Sequence, residues 1–406
     1  MIRRSFDARI DRLVAASDIV VVCGAGGVGK TSMAAAGAAT AAVELEAKVL
    51  VVTVDPARRL GGALGLEAAG VGAEQDRQPL DADSRAQVGH REHRIPAADL
   101  AAAAGAQPRG ELWVAMLDTR AGWDDVVTRH APDAAARRAI LANPLYRNLT
   151  GTFTQSHDYM AMERLHEVHV SGRYDLIVVD TPPSRHAIDF LDAPDRMAEF
   201  FSSRLLRWLT GPSRSRLAGM ASKPFSLVAD RLLGASFLAD IAEFFLLFQS
   251  MYGGFVERAR AVQQTLRDPR TAFVVVTTLE PATVAEAQFF CDALTRRDLV
   301  LGAVICNRAL PAALDDALAR AVATELQRHP QLDRLEELGL DPATVTRVLA
   351  EVGRSFSDYA MMAAREGELA LRLSRRSELT VLVPQLDHDV AGLADLLALG
   401  RAAWSG

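Results

Sequence analysis

The residues best suited to chemistry in this sequence form a glycine-rich loop near its beginning. Residues 24–31 read Gly-Ala-Gly-Gly-Val-Gly-Lys-Thr, which matches the phosphate-loop pattern G-x-x-x-x-G-K-[ST]. Glycines allow successive backbone N–H groups to converge on one anion, Lys30 can reach the β- and γ-phosphates, and the Thr31 hydroxyl can ligate Mg²⁺. The pattern predicts that a nucleoside triphosphate contacts Gly24, Ala25, Gly26, Gly27, Val28, Gly29, Lys30, Thr31 and Ser32.

The segments on both sides of the loop support this interpretation. An apolar run, residues 19–23, precedes the loop, and an alanine-rich stretch, residues 32–42, follows it. The motif requires such a strand, loop and helix, and the start of the helix adds the positive end of its dipole to the anion site. A glycine-rich turn followed by a chance Lys-Thr pair is the alternative, and the neighbouring segments argue against it.

Two acidic residues at the ends of later apolar runs point to the same site. We expect Asp55 to orient the attacking water, with capping of the next helix as the alternative. We expect Asp180 to act on Mg²⁺ through a metal-bound water, with a plain turn as the alternative. The predicted catalytic residues are Asp55 and Lys30. The predicted metal site comprises Thr31, Asp55 and Asp180.

Two further strand ends are candidates for the nucleotide base. Asn307 and Arg308 follow one apolar run, and Pro384 lies at the end of another. A side-chain amide carries both a donor and an acceptor, so Asn307 can read the edge of adenine. The segment that contains Pro384 can form a wall beside the base. We therefore add Asn307, Arg308 and Pro384 to the predicted nucleotide-binding residues.

Six short runs rich in Val, Ile and Leu position these residues. Each run is too short for a typical helix and does not alternate with polar residues, which is typical of strands buried on both faces of a parallel sheet. Ligands bind at the carboxyl ends of the strands in such sheets. The sequence predicts an α/β fold, a doubly wound, mostly parallel sheet of the phosphate-loop NTPase type with helical insertions. The runs are residues 19–23, 49–54, 176–179, 273–277, 299–305 and 379–383.

Two long segments interrupt this pattern within what we expect to be one domain, residues 1–406. The first spans about residues 83–170 and becomes helical in its later part, and the second spans about residues 187–268. Aromatic residues recur at helical spacing in the second segment. They suit a groove for an apolar client helix or, as the alternative, a helical lid or a dimer interface.

The composition narrows the possible partners. The formal charge of −6 gives no electrostatic footprint for nucleic acid. No window of about 18 apolar residues lacks charge, so we expect no transmembrane segment and a cytoplasmic location. The three cysteines are not spaced as zinc ligands. His157, His166 and His169 lie in one predicted helical region, without the companion ligands of a metal site.

The series of motifs, taken in order along the chain, resembles the ArsA family. That family includes arsenite-pump ATPases and the targeting ATPases for tail-anchored membrane proteins, and residues 174–196 resemble an actinobacterial branch of anion-transporter ATPases. The resemblance implies ATP and Mg²⁺ as ligands, with Asp55 positioning the hydrolytic water and Asn307 contacting adenine. It rests on residues 24–31, 53–57, 180–186, 307 and 383–386.

One residue of the loop departs from the family pattern. Relatives carry a lysine that reaches the partner subunit's phosphates, and this sequence has Ala25 in its place. A trans-acting cation of this kind can be worth roughly 10³–10⁵ in rate in arginine-finger systems. Hydrolysis is then slow, or a partner subunit supplies the charge, or an arginine replaces it. The candidate arginines are Arg58, Arg59 and Arg185. The alternative is that these arginines are solvated surface charges.

Two functions follow from these observations. The leading one is a cytoplasmic Mg²⁺-dependent ATPase whose nucleotide cycle opens and closes a dimer. That dimer is a homodimer or a heterodimer with a related ATPase, and it acts on an apolar protein client or a membrane-protein partner. The alternative is a weakly or non-hydrolysing ATP-binding regulatory subunit beside a lysine-bearing ATPase. The sequence lacks the cysteines through which arsenite pumps and targeting ATPases hold metal or metalloid, so arsenite transport in the usual sense is not expected.

Overall fold

An eight-stranded sheet forms the centre of the part of the chain that the structure describes. The computed structural model describes residues 9–53, 92–116, 119–143, 146, 154–181, 191–193, 195–196, 199, 252–328 and 341–405. The strands are β1 (Ile19–Gly24), β2 (Lys48–Thr53), β3 (Glu92–Arg94), β4 (Glu111–Met116), β5 (Leu176–Asp180), β6 (Thr271–Thr277), β7 (Val300–Ala309) and β8 (Thr380–Pro384). Their order is β3-β4-β2-β5-β1-β6-β7-β8. Among the described strands, only β3 is antiparallel to its neighbour, β4.

Helices cover both faces of this sheet. The described helices are α1 (Ile10–Ala16), α2 (Lys30–Glu44), α3 (Ala97–Ala104), α4 (Thr119–His130), α5 (Ala134–Ala142), α6 (Thr154–Val170), α7 (Tyr252–Arg267), α8 (Pro281–Thr295), α9 (Ala317–Arg328), α10 (Pro342–Ser374) and α11 (Leu393–Ser405). One face of the sheet is covered by helices α1, α2, α3 and α11, which pack together. The opposite face is covered by α6, α7, α8 and α10.

Successive residues of each central strand enter opposite cores. In β1, Val20 and Val22 belong to the apolar core around α2, whereas Ile19 and Val21 belong to the core on the opposite face. All six residues of β1 are buried. Successive side chains of a strand point to opposite faces of the sheet, and here each face is covered by a layer of helices. The strand is therefore a continuous apolar run rather than an alternating one.

The structure confirms the predicted α/β sheet and corrects one detail of the predicted insertions. All six apolar runs form strands, and the predicted helical parts of the first insertion lie in α5 and α6. However, residues 83–170 are not only helical, because β3 and β4 lie within them and extend the sheet beyond β2. The described end of the second insertion is α7. The rest of its aromatic-rich part, residues 200–251, lies outside the described residues.

Small residues let α11 cross very close to α2, the helix that starts at the glycine-rich loop. A Cβ atom on Gly400 would overlap the Thr40 hydroxyl, and it would lie 2.7 Å from the Ala36 carbonyl oxygen. Only glycine fits at such an approach. The contact is extended by Arg401, whose Nε donates a 2.9 Å hydrogen bond to Glu44 although the two residues are 357 positions apart in sequence. Helix α11 therefore covers the outer face of α2.

Candidate functional site

The glycine-rich loop joins the central strand β1 to helix α2, as the motif requires. Strand β1 ends at Gly24 and α2 begins at Lys30. Gly29, the residue before the helix, has φ +94°, a left-handed conformation that side chains rarely adopt. A Cβ atom here would also overlap Nδ2 of Asn307. The loop thus has the curled backbone and the helix N-terminus that together form an anion site.

Lys30 lies across this loop. Its Nζ donates a 2.8 Å hydrogen bond to the carbonyl oxygen of Ala25, and only 7 % of the residue is exposed. The charged group is therefore held at the loop rather than in solvent. Ala25 itself is buried in the core around α2, with 6 % exposed. A packed methyl group therefore occupies the position at which the family resemblance predicts a lysine.

A buried carboxylate lies on one side of the loop. Asp180 ends β5, is fully buried, and accepts a 2.8 Å hydrogen bond from the Thr31 hydroxyl through Oδ2. The Thr53 hydroxyl donates to the same oxygen at 3.2 Å. The structure places Thr31 and Asp180, two of the predicted metal-site residues, in direct contact and adds Thr53, which is not among the predicted residues. The signal for Thr53 is its place at the end of β2, where it pairs in parallel register with Asp180.

Asn307 lies on the other side of the loop. Its Nδ2 donates a 2.9 Å hydrogen bond to the Val28 carbonyl oxygen, and its Oδ1 accepts a 2.9 Å bond from the Arg308 backbone N–H. The pairing of β7 with β8 is irregular between residues 306 and 309, and Arg308 has φ +58°. Pro384 pairs with Ala309 across this irregularity. The three residues predicted to contact the base therefore lie at the carboxyl ends of two neighbouring strands, β7 and β8.

Some predicted residues lie outside the described part of the chain. These are Asp55, predicted to orient water, and the three arginines proposed to replace the missing lysine, Arg58, Arg59 and Arg185. Their roles stay predictions. Of the three histidines, His166 contacts the Thr265 hydroxyl through Nδ1 at 2.9 Å. Burial is the main cause that lowers the pKa of His166, and His169 adds to the effect.

The cysteines are not candidates for catalysis. All three are free and buried. Burial raises the pKa of Cys23 and of Cys306 to about 12 and that of Cys291 to about 11. Because the thiolate is the nucleophile, thiols with such pKa values are unreactive near neutral pH. Although Cys23 and Cys306 adjoin the loop and Asn307, they serve as small apolar side chains there.

The donors beside the loop fit Mg²⁺ rather than a softer metal. A hydroxyl and a carboxylate, on Thr31 and Asp180, are oxygen ligands of the kind that Mg²⁺ prefers, and they meet beside the glycine-rich loop. Within the described ranges, no cluster of three or more His, Cys, Asp or Glu side chains offers another metal site. The same residues include no helix with the length and hydropathy that a bilayer requires.

This fold and this site define the class of protein. A parallel sheet with a strand, glycine loop and helix at its centre, together with a strand-end aspartate beside the loop threonine, is the arrangement of a phosphate-loop NTPase. The family model for anion-transporting ATPases, the ArsA type, matches residues 17–74 and 146–347. The chain belongs to this family. Membership implies an ATPase of the phosphate-loop type.

Proposed function

We propose that this chain hydrolyses ATP in the presence of Mg²⁺. The observation that carries the proposal is the 2.8 Å hydrogen bond between Thr31 and Asp180. It joins the last residue of the phosphate-loop motif to an acid at the end of the neighbouring strand β5. Sequence position alone does not require this contact, because the two residues are 149 positions apart.

Each residue of the chain has a defined task in the proposed reaction. The loop N–H groups and the start of α2 bind the phosphates, and Lys30 leaves its carbonyl partner in the loop to reach the β- and γ-phosphates. Thr31 and Asp180 would hold Mg²⁺, which when bound neutralises charge that develops on the phosphate oxygens. Asp55 orients the attacking water in line with the bond that breaks.

The finer assignments belong to the same proposal. Resemblance to the family supports a nucleotide cycle that opens and closes a homodimer or a heterodimer, coupled to an apolar protein client or a membrane-protein partner. The three free cysteines suit a reducing compartment, which supports a cytoplasmic location. Asn307, Arg308 and Pro384 are proposed to lie near the base, because the first two lie at the carboxyl end of β7 and Pro384 pairs with Ala309 of that strand.

A second candidate function rests on Ala25. Because this side chain is a packed methyl group, it cannot supply the charge that relatives deliver to the partner subunit. The chain would then bind ATP and hydrolyse it weakly or not at all, and it would act as a regulatory subunit beside a lysine-bearing ATPase. The two candidates differ in the turnover of the isolated chain.

Three variants test the proposed hydrolysis. Lys30→Ala is expected to lose ATP binding, whereas Asp55→Asn is expected to keep binding and lose turnover. Lys48→Ala is the matched control, because Lys48 starts β2 at the opposite end of the sheet and contacts Glu111. Binding is measured by calorimetry and turnover by phosphate release. Equal residual turnover in the wild type, Lys30→Ala and Asp55→Asn would contradict hydrolysis by this chain.

A mixing experiment separates the two candidates. If the chain is a regulatory subunit, turnover of the mixture with a lysine-bearing relative exceeds the sum of the separate rates. If it is an ATPase by itself, the isolated chain turns over and the rates only add. The dimer cycle is followed in the same samples by light scattering, with ATP and with ADP.

A further inference from the structure

We propose that Asn307 is a positioning residue that fixes the shape of the phosphate loop, whichever base the bound nucleotide carries. The inference rests on the proposed nucleotide site and gives Asn307 a task besides contact with adenine. It starts from one contact, the 2.9 Å hydrogen bond from Nδ2 of Asn307 to the Val28 carbonyl oxygen. The residues are 279 positions apart, so the bond ties the end of β7 directly to the loop.

The orientation of the Asn307 amide follows from its two partners. A carbonyl oxygen can only accept and a backbone N–H can only donate. Val28 therefore requires the NH₂ group on its side, and the Arg308 N–H requires the oxygen on the other. A flipped amide would place oxygen against oxygen and N–H against N–H. With 6 % of the residue exposed, solvent does not replace either partner.

The loop needs this contact because of how it binds anions. When N–H groups turn inward to a phosphate, carbonyl groups of the same loop turn away from it and need partners of their own. The Val28 carbonyl meets its partner in Asn307, and the space for that side chain exists because Gly29 has no Cβ. Removing the amide leaves a buried carbonyl unpaired, which favours other loop conformations.

A role in the loop and a role at the base predict different behaviour toward ligands. If Asn307 acts through the loop, its loss weakens every ligand that carries the phosphates, including one that has no base. If it acts through adenine alone, its loss weakens ATP and leaves other ligands unchanged. The typical net effect of one hydrogen bond corresponds to about a three- to tenfold weaker affinity.

The experiment measures the affinity of the full chain for three probes in the presence of Mg²⁺. They are ATP, GTP and inorganic tripolyphosphate, which has no base. The variants are Asn307→Ala and Asn307→Leu. The leucine keeps the branched shape of the side chain, so it serves as the second variant if the alanine impairs folding. Asn143→Ala is the matched control, because Asn143 lies at the end of α5 and accepts a hydrogen bond from the Tyr146 N–H.

We expect the same loss of affinity, about three- to tenfold, for all three probes in either folded variant. We expect no change of affinity in the control. A loss confined to ATP, or no loss, would overturn it. Failure of the proposed function has a different signature, because it is read from the wild type. Wild-type protein that binds the probes without turnover would contradict hydrolysis, and the comparison of variants would still decide the role of Asn307.

Discussion

The two sides of the phosphate loop are built from different kinds of contact. On the side of β5, two hydroxyl groups, from Thr31 and Thr53, donate to the carboxylate of Asp180. On the side of β7, a neutral amide on Asn307 donates to a backbone carbonyl. We call these the acidic side and the amide side. Hydrogen bonds to charged groups are about twice as strong as neutral ones.

The difference between the two sides predicts a division of tasks within the site. The acidic side holds a charge where a metal and developing charge on phosphate are expected, so changes there should act on chemistry. On the amide side, the Asn307 side chain is neutral, and its hydrogen bonds join it to the loop and to its own strand end. Changes there should act on affinity for the phosphates. This division can be tested by one substitution on each side.

The largest effect is expected on the acidic side. Asp180→Asn keeps the shape of the side chain and removes its charge, so turnover should fall by about 10²–10³, as when one stabilising group is lost from a reacting site. ATP binding in the presence of a chelator should stay. Phosphate release and calorimetry with and without Mg²⁺ measure both effects.

The control for this variant lies on the same strand segment. Asp175→Asn removes a charge at the opposite end of β5, where Asp175 accepts a hydrogen bond from the Lys48 N–H. Its turnover should match the wild type. Turnover of Asp180→Asn within a factor of a few of the wild type would show that the acidic side has no part in the chemistry.

An intermediate effect is expected at Gly29, where the loop meets the amide side. Gly29→Ala combines a left-handed backbone with a Cβ atom that overlaps Asn307. Strain of this kind costs about 1–3 kcal/mol, so nucleotide affinity should fall by about 5- to 150-fold. Calorimetry with ATP measures the loss.

Gly37→Ala is the matched control for Gly29→Ala. It lies within α2, and a Cβ atom there meets nothing within 4 Å. Because alanine is about 1 kcal/mol better than glycine inside a helix, this variant should bind ATP normally and unfold at a slightly higher temperature. If Gly29→Ala behaved in the same way, the loop geometry described above would be wrong.

The smallest effect is expected at Thr53, which supports Asp180 without being part of the loop. Thr53→Val removes one of the hydroxyl donors to the carboxylate and should weaken the Mg²⁺-dependent part of ATP affinity by about three- to tenfold. Affinity without Mg²⁺ should not change. Thr53→Ser should restore the wild-type value, since it returns the hydroxyl.

Thr271→Val tests whether any buried threonine of the sheet behaves alike. Thr271 starts β6, is 2 % exposed, and donates to the Thr265 carbonyl oxygen at the other end of the sheet. Thr271→Val should leave the Mg²⁺ dependence of ATP affinity unchanged even if it lowers the stability of the fold. The same loss in Thr271→Val would mean that the effect of Thr53 is one of general stability.

The local sequence pattern is sufficient to predict the strands that are buried on both faces. The run at residues 19–23 identifies β1 because every side chain in it must be apolar. Strand β4 was missed because it lies next to the edge, where Glu111 and Trp113 are only partly buried and interrupt the run. Strand β3 is short and polar, and only its pairing with β4 makes it a strand.

A local sequence pattern also does not show which distant residues contact each other in the site. The motif at residues 24–31 is contiguous and can therefore be recognised in the sequence alone. The support from Thr53 to Asp180 crosses 127 positions, and that from Asn307 to Val28 crosses 279. Such contacts depend on which strands become neighbours and in what register, and neither quantity is encoded in a short window of sequence.

The close crossing of α11 over α2 has a consequence for how the protein is made. Synthesis proceeds from the amino end, so the helix that begins at the phosphate loop leaves the ribosome long before the helix that covers it. Until Gly400 and its neighbours arrive, the alanine-rich side of α2 is open to water. We expect the emerging chain to acquire nucleotide-dependent resistance to protease only once residues 393–405 have been released.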